Sequence, residues 1–259
     1  MKTVIIGKGK VGEATAMSLS RRDPSHIDFH DPHKGVSVET VGGSYNFAPY
    51  DYAIVCVDTL RRDEYDHTDV ISVLNELKTG MFTGIALIRS TVNPEIIPIL
   101  KNIYPRFVMF PEFMRQTDDL KMDDPWVVVL GGEVSDVLTS MWYLHDNGYC
   151  DDTEKYLRGS HADAAIIKLC QNAGLATKVI FFNMVYALCE KYQGNYDLVR
   201  RGVGADKRVG IEYSVVPSPD DGLRGFKGHC LPKDVASLSA IDDYGFFAKL
   251  LEINKQLGR

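Results

Sequence analysis

Short runs of apolar residues alternate with helical periodicity along the first half of this chain. The apolar runs cover residues 2–6, 52–57, 84–88, 107–110 and 126–130, and helix-compatible stretches at 13–20 and 69–78 separate them. A strand that is buried on both faces is apolar at nearly every position, whereas a surface helix is apolar at one position in three or four. The alternation therefore predicts an α/β fold with a doubly wound, mainly parallel sheet.

The pattern changes near residue 158. Residues 160–192 are compatible with a single long helix, which opens with Ser160 and has the carboxylate of Asp163 three residues later, a typical N-terminal capping arrangement. We therefore predict a Rossmann-type domain over residues 1–157 and an all-helical domain over residues 158–259, built around that long helix.

A glycine-rich turn connects the first predicted strand to the first predicted helix. Gly7, Gly9 and Gly12 form the pattern G-x-G-x-x-G, with Lys10 and Val11 between the last two glycines. In such turns the first glycine permits a tight bend, the second lets a pyrophosphate approach the backbone, and the third allows the helix to pack closely on the strand. These five residues are predicted to bind a dinucleotide.

An acidic residue near the end of the second predicted strand supports this interpretation. Asp31 lies nineteen residues after Gly12, and Asp28 is the competing candidate. We favour Asp31 because the strand ends near Pro32. A carboxylate at this place accepts hydrogen bonds from the adenosine ribose and repels a 2′-phosphate, so the predicted cofactor is NAD rather than NADP.

Composition narrows the class of protein. The chain has 259 residues, of which 45% are hydrophobic, without a run of eighteen apolar residues or a signal peptide, so a cytoplasmic protein without a membrane partner is predicted. The net charge of −6 disfavours nucleic acid as a partner. Five scattered cysteines and seven dispersed histidines predict neither a disulfide framework nor a metal site, and His30 and His33 are interpreted as solvated turn residues.

A glycine-containing loop near the C-terminus carries the strongest catalytic signal. Residues 225–234 read Gly-Phe-Lys-Gly-His-Cys-Leu-Pro-Lys-Asp, so Cys230 stands near a lysine and four residues before Asp234. This setting suits a cysteine nucleophile. The competing interpretation is an ordinary buried thiol beside a turn.

Two polar residues share one face of the long predicted helix. Lys168 and Asn172 are spaced i, i+4 among apolar neighbours. An exposed polar pair is the default interpretation, but a lysine on a largely buried helix needs a partner or a function.

These motifs resemble, in order, those of the UDP-glucose/GDP-mannose 6-dehydrogenase family, and the resemblance spans nearly the whole chain. Residues 225–234 resemble the family's active-site loop, and Lys168 with Asn172 resemble its K-x-x-x-N segment. Shorter resemblances occur at residues 89–92 to K-S-T-[VI], at 111–115 to P-E-F-L-R, and at 206–210 to D-x-R-I-G.

The resemblance implies that the C6 alcohol of a UDP- or GDP-sugar is oxidised to a carboxylate by two NAD⁺ in turn, through a thiohemiacetal and a thioester on the cysteine. The catalytic residues it implies are Cys230 as nucleophile, Lys168 and Asn172 for oxyanion charge, Asp234 and Thr91 for water and proton transfer, and Glu112 for hydrolysis. Thr91 is also implied at the cofactor. The implied substrate-binding residues are Phe113, Met114, Arg115, Arg208, Phe226 and Gly228.

In the family, the arginine that Arg208 matches reaches into a neighbouring subunit, so the resemblance implies a homodimer built on the helical domain. Taken without the resemblance, Arg208 is a surface arginine, Thr91 a helix cap and Glu112 a solvated loop carboxylate.

The chain departs from the family pattern at several positions. Gln116 replaces a glutamate, Asp58 a proline, Lys227 a glycine and Lys10 a tyrosine. The sequence ends 29 residues after Cys230, where the family continues into a further nucleotide-binding domain, which we therefore expect to be absent. Two alternatives stay open: a β-hydroxyacid-type dehydrogenase, which needs no thiol, and a non-catalytic sugar-nucleotide-binding subunit.

Overall fold

The computed structural model describes residues 1–61, 64–113, 125–228 and 230–258, without the side chains of residues 60, 61 and 64. The chain forms two compact units. Unit 1 comprises Met1–Arg61 and Asp66–Lys168, and unit 2 comprises Arg62–Tyr65 and Leu169–Arg259. The predicted boundary after residue 157 falls inside a strand of unit 1, and the change of unit comes eleven residues later, within the long helix.

The described residues form eleven strands and eight α-helices. The strands are β1 Thr3–Ile6, β2 Ile27–His30, β3 Thr40–Val41, β4 Ser44–Tyr45, β5 Tyr52–Val55, β6 Leu60–Arg61, β7 Glu64–Tyr65, β8 Ile85–Ile88, β9 Phe107–Met109, β10 Val128–Gly132 and β11 Tyr156–Gly159. The helices are α1 Lys10–Leu19, α2 Thr68–Thr79, α3 Ile97–Ile103, α4 Val134–Asp146, α5 His161–Tyr192, α6 Tyr196–Gly204, α7 Cys230–Ser239 and α8 Phe246–Gln256.

Unit 1 is organised around a seven-stranded sheet in the order β11-β10-β9-β8-β5-β1-β2. Its neighbouring strands are parallel except for β9 and β10. The predicted mainly parallel sheet is confirmed. Because β1 lies between β2 and β5, the chain order reverses there, and in open α/β sheets ligands bind outside the carboxyl ends of the strands at such a point.

Both faces of this sheet are buried, which explains the apolar runs in the sequence. Val4 and Ile6 of β1 belong to one hydrophobic cluster, together with Val55 of β5, whereas Ile5 and Ile54 belong to a second cluster. Successive side chains of a strand point to opposite faces. Helices cover both layers, so nearly every position of the central strands is apolar.

Unit 2 contains strand β7, most of α5 and helices α6 to α8, and its core lies against one face of α5. Leu169, Ala173, Ala176 and Ile180 follow one another at helical spacing and form a buried cluster, which Phe226, Val235, Leu238 and Leu250 complete. Among the described helices, α5 is the one that is long and apolar enough to cross a membrane, a property that core helices share.

One sequence interpretation is wrong: His30 is not a solvated turn residue. It is the last residue of β2 and is fully buried, with its ring centroid 4.4 Å from that of Tyr45. Its Nδ1 accepts a hydrogen bond from the Val38 N–H, and its Nε2 lies 3.3 Å from a carboxylate oxygen of Glu76. These tertiary partners make burial of His30 possible, although the turn-forming residues beside it in the sequence predicted that it is solvated. His33 is exposed.

The close packing of α1 on β1 gives a test of the fold. A Cβ at Gly12 would lie 2.1 Å from the carbonyl oxygen of Gly7, whereas a Cβ at Gly9 would meet nothing within 4 Å. We expect Gly12→Ala to lower the free energy of unfolding by about 1–3 kcal/mol through overpacking. Gly9→Ala, at the N-cap of α1, is the control and should cost less than about 1 kcal/mol. Urea unfolding checks both, and equal losses would contradict this account.

Candidate cofactor and catalytic sites

The glycine turn of unit 1 has the shape that a pyrophosphate requires. Gly7 has φ +96°, and a Cβ there would lie 2.6 Å from the Cys56 carbonyl oxygen, so a larger residue does not fit. Beside Gly9 the space is open, and α1 begins at the next residue, Lys10. An open backbone at a helix N-terminus is a favourable place for a phosphate group.

The carboxylate of Asp31 lies beside this turn. Its Oδ2 accepts a hydrogen bond of 2.9 Å from the N–H of Lys8, and the N–H of Gly7 donates to the carbonyl oxygen of His30. Asp28 is engaged elsewhere, because its Oδ2 lies 3.0 Å from Lys2 Nζ and 2.8 Å from the Tyr50 hydroxyl. Of the two candidates, Asp31 therefore has the position that a ribose ligand requires.

Glu112 is not a solvated loop carboxylate. Its side chain is 13% exposed and forms an ion pair with Arg89, whose own side chain is fully buried. The Arg89 guanidinium also donates to the Tyr149 hydroxyl at 3.0 Å and lies 4.2 Å from the ring centroid of Phe110. Arg89 follows β8 and Glu112 follows β9, so the pair connects adjacent strands at their carboxyl ends. In the sequence, the feature that indicates this pair is a basic residue, Arg89, directly after an apolar strand.

Thr91 does not cap the short helical turn that begins at Pro94. The side chain of Asn93 has that role, since it accepts a hydrogen bond from the N–H of Glu95. Thr91 is buried just beyond the carboxyl end of β8. Thr91 thus lies near the sheet edge where ligands of this fold class bind.

In unit 2, α5 and α7 bring two of the predicted catalytic residues into contact. Asp234 on α7 is fully buried, and its Oδ2 accepts a hydrogen bond of 2.5 Å from Asn172 Nδ2 on α5. Cys230 is the first residue of α7 and is exposed. Because residues four apart share a helix face, the thiol and the carboxylate lie on the same side of α7. Lys233 Nζ is 3.7 Å from the other oxygen of Asp234.

The thiols differ in accessibility, which bears on which of them a solute can reach. Burial raises the pKa of the Cys56 thiol to about 11, so this thiol is protonated and unreactive at neutral pH. Cys150 and Cys189 are buried, and Cys170 and Cys230 are exposed. Of the two exposed thiols, Cys230 is the one that stands at a helix N-terminus with a carboxylate one turn away.

Lys168 and Phe113 meet within unit 1. Lys168 is buried, and its Nζ lies 5.1 Å from the ring centroid of Phe113, within the range of a cation–π interaction. The default interpretation of an exposed polar pair on the long helix is therefore excluded, since both Lys168 and Asn172 are buried.

The other predicted substrate residues differ in their environments. Arg208 has a side chain that is 89% exposed and paired with Asp206 at 2.6 Å. The side chain of Phe226 lies in the core of unit 2, and Gly228 has φ +89° in the loop before Cys230. Lys227, which replaces a family glycine, pairs with Asp221 at 2.8 Å. Met114, Arg115 and Gln116 lie outside the described residues.

Comparison with known proteins supports the motif-based resemblance. Residues 162–257 match the UDP-glucose/GDP-mannose dehydrogenase family, central domain. The UDP-glucose 6-dehydrogenase of Rickettsia felis is 30% identical over 176 residues, which cover 64% of this chain and 37% of that protein. The enzyme of the same name from Rhizobium meliloti is 29% identical, over 74% of this chain and 46% of its own length. The matched segments thus span about a third to a half of these relatives.

Solved structures agree on the fold. A UDP-glucose dehydrogenase from the archaeon Pyrobaculum islandicum superposes with a TM-score of 0.78 at 19% identity, over 98% of this chain and 68% of that one. The 3-hydroxyisobutyrate dehydrogenase of Mycobacterium tuberculosis gives a TM-score of 0.71 at 16% identity, over 99% and 93% of the two chains. The resemblance to the family and the predicted fold class are confirmed.

The contact between Asn172 and Asp234 gives a second test. Asn172→Ala removes a hydrogen-bond donor from a buried carboxylate, and we expect the free energy of unfolding to fall by about 2–4 kcal/mol at neutral pH. Cys170→Ala, at an exposed position of the same helix, should change the stability by less than about 0.5 kcal/mol. Urea titrations measure both, and similar losses in the two variants would refute the role of this bond.

Proposed function

We propose that this chain, which is related to the UDP-glucose/GDP-mannose dehydrogenases, oxidises the C6 alcohol of a nucleotide sugar to a carboxylate with NAD⁺ as the acceptor. The observation that carries the proposal is in unit 2, where the buried Asn172–Asp234 pair lies one helical turn from the exposed Cys230. A buried polar pair beside an accessible thiol suits covalent catalysis better than a structural role.

The residues of unit 1 fit an NAD-type dinucleotide. Gly9 leaves the backbone open at the start of α1, and Asp31 supplies a carboxylate for the ribose hydroxyls. The proposed cofactor residues are Gly7, Gly9, Lys10, Val11, Gly12, Asp31 and Thr91. When bound, the nicotinamide supplies the hydride acceptor for each of the two oxidations.

The first oxidation yields an aldehyde. The C6 alcohol loses its proton and a hydride, and we assign stabilisation of the negative charge that develops on the oxygen to Lys168 and Asn172. Both are buried, and electrostatic stabilisation is stronger where water is excluded.

The second oxidation depends on Cys230. Its thiolate adds to the aldehyde carbon, forming a carbon–sulfur bond, and the oxygen takes up a proton to give a thiohemiacetal. Loss of a second hydride and that proton leaves a thioester. Water then adds to the thioester carbon and the carbon–sulfur bond breaks, releasing the carboxylate and the thiol. We assign Asp234 and Thr91 to positioning this water and its proton, and Glu112 to assisting hydrolysis.

A single, two-electron oxidation of a β-hydroxyacid type is the second candidate. Lys168 and Asn172 serve it equally well, and it makes no use of Cys230. The number of NADH molecules formed per substrate separates the two: two support the first proposal, and one supports the second. A protein that binds sugar nucleotides and forms no NADH is the non-catalytic alternative.

The assay mixes the protein with NAD⁺ or NADP⁺ and a panel of UDP- and GDP-sugars, and follows NADH by its absorbance. We expect turnover with NAD⁺ and little with NADP⁺, because the Asp31 carboxylate repels a 2′-phosphate.

The cytoplasmic location and the absence of a nucleic-acid or membrane partner stay predictions of the sequence.

The thiol step predicts the behaviour of one variant. Cys230→Ser should make no sugar acid, because a serine hydroxyl is not deprotonated as a thiol is and does not capture the aldehyde; a slow first oxidation should remain. Cys170→Ser is the matched control, since that thiol is also exposed. Mass spectrometry of the products decides the outcome. Acid formation at the parent rate in Cys230→Ser would reject the thioester route and favour the second candidate.

We also propose a homodimer built on unit 2. Phe181, Met184, Leu188 and Tyr192 of α5 are spaced three or four residues apart and are all exposed. An apolar helix stripe of this kind is typical of a protein–protein interface. Arg208, whose exposed guanidinium pairs with Asp206, belongs to the same unit as this stripe.

A charge placed in this stripe tests the dimer. Leu188 is 56% exposed, so Leu188→Glu leaves the monomer fold intact while burying a carboxylate in the proposed interface. Light scattering at micromolar concentration should show twice the chain mass of 29.0 kDa for the parent protein, and the mass of one chain for the variant. Ile99→Glu, at a position of similar exposure in unit 1, should stay dimeric. A monomeric parent would contradict the proposal.

A further inference from the structure

Two buried asparagines of unit 2 hold the backbone that precedes Cys230. Asn183 lies on α5 and is 1% exposed, and Asn254 lies on α8 and is 6% exposed. The reaction described above makes no use of either. An asparagine that is buried on a helix needs hydrogen-bond partners, and the partners of these two lie in the same loop.

The loop is fixed by three hydrogen bonds to these side chains. The N–H of Gly225 donates to Asn183 Oδ1 at 3.2 Å. The N–H of Phe226 donates to Asn254 Oδ1 at 2.8 Å, and Asn254 Nδ2 donates back to the Phe226 carbonyl oxygen at 3.0 Å. Asn183 Nδ2 in turn donates to the Val179 carbonyl oxygen at 2.9 Å, so each amide is held on both sides.

Side-chain packing reinforces this anchor. Phe226 is 2% exposed and packs in the cluster that contains Leu169 of α5, Val235 of α7 and Leu250 of α8. Gly225 has φ +82°, which a residue with a Cβ adopts only with strain. Three residues separate Phe226 from Cys230, so the backbone that Asn254 holds is close to the thiol along the chain.

We propose that Asn183 and Asn254 are positioning residues, which fix the loop so that the Cys230 thiol is held where an aldehyde is captured. If the loop moved away from these asparagines, buried hydrogen-bond donors and acceptors would lose their partners. The hydrogen bonds therefore oppose movement of the loop. A misplacement of the thiol by a fraction of an ångström lowers the rate of a reaction that depends on alignment. This inference rests on the proposed function for its catalytic consequence, and the position of the thiol is measurable without turnover.

The test compares Asn254→Asp with Gln256→Glu. The aspartate keeps an acceptor for the Phe226 N–H but places a carboxylate oxygen against the Phe226 carbonyl, where the asparagine donates. Gln256 is exposed on the same helix, so its variant makes the same change from amide to acid without touching the loop. Alkylation by iodoacetamide is followed for each cysteine by peptide mass spectrometry, and kcat and KM are measured with NAD⁺ and the accepted sugar nucleotide.

We expect Cys230 of Asn254→Asp to react about tenfold faster with iodoacetamide. The thiol is already exposed, and a loop that is no longer fixed lets its sulfur meet the reagent in more orientations. We expect kcat to fall about tenfold or more, while the KM for NAD⁺ stays unchanged. Exposed Cys170 and buried Cys189 serve as internal standards for the reagent and for global unfolding, and their rates should not change. Gln256→Glu should match the parent in every measurement.

Two outcomes overturn the proposal: an unchanged alkylation rate of Cys230, or faster alkylation with an unchanged kcat, which would show a purely structural role. If Cys189 also reacts faster, Asn254→Asp is unfolding as a whole. In that case Asn183→Ser, which removes the acceptor for the Gly225 N–H, is tested in its place, and the same two outcomes overturn the proposal. A parent that forms no NADH rejects the proposed function, and the ratio of Cys230 to Cys170 alkylation then decides by itself whether the asparagines fix the thiol.

Discussion

The helical unit depends on the burial of a carboxylate. Asp234 has no solvent exposure, and a charge removed from water is stable only when hydrogen bonds or opposite charges replace its hydration. Asn172 approaches it from α5 at 2.5 Å, and the ammonium of Lys233 lies 3.7 Å away. These contacts require α5 and α7 to keep one register. The same register fixes the N-terminal end of α7, where Cys230 lies.

A comparable constraint acts on the backbone of the same unit. Asn183 and Asn254 are buried, so their amides must be satisfied, and the loop before Cys230 satisfies them. Polar groups buried in this way favour one arrangement over its neighbours, because each alternative leaves a donor or an acceptor unpaired. The apolar cluster around Phe226 buries these polar groups, so that water does not replace their partners in the protein. Packing and polar pairing therefore support the same conformation of the thiol loop.

In unit 1 the constraint is steric rather than polar. Gly7 and Gly12 stand where a Cβ would meet backbone carbonyl oxygens, whereas Gly9 faces open space. The turn thus combines close packing with an accessible backbone at the start of α1, which is the arrangement that a dinucleotide phosphate needs. Arg89 and Glu112 add a buried ion pair at the carboxyl ends of β8 and β9. Such a pair is sensitive to the loss of either partner, since the remaining charge would be uncompensated.

The sequence by itself determined the sheet, the long helix from residue 161 to 192, and the glycine turn, because these depend on local periodicity and on the φ angles that glycine permits. Motif spacing also predicted Asn172, Asp234 and Cys230 to be catalytic residues. Only the tertiary structure showed that His30 is buried, that Asn183 and Asn254 hold the thiol loop, and that Glu112 pairs with Arg89. Each of these depends on partners that are distant in the sequence, and a polar residue carries no local signal that tells whether its hydrogen bonds are made with water or inside the protein.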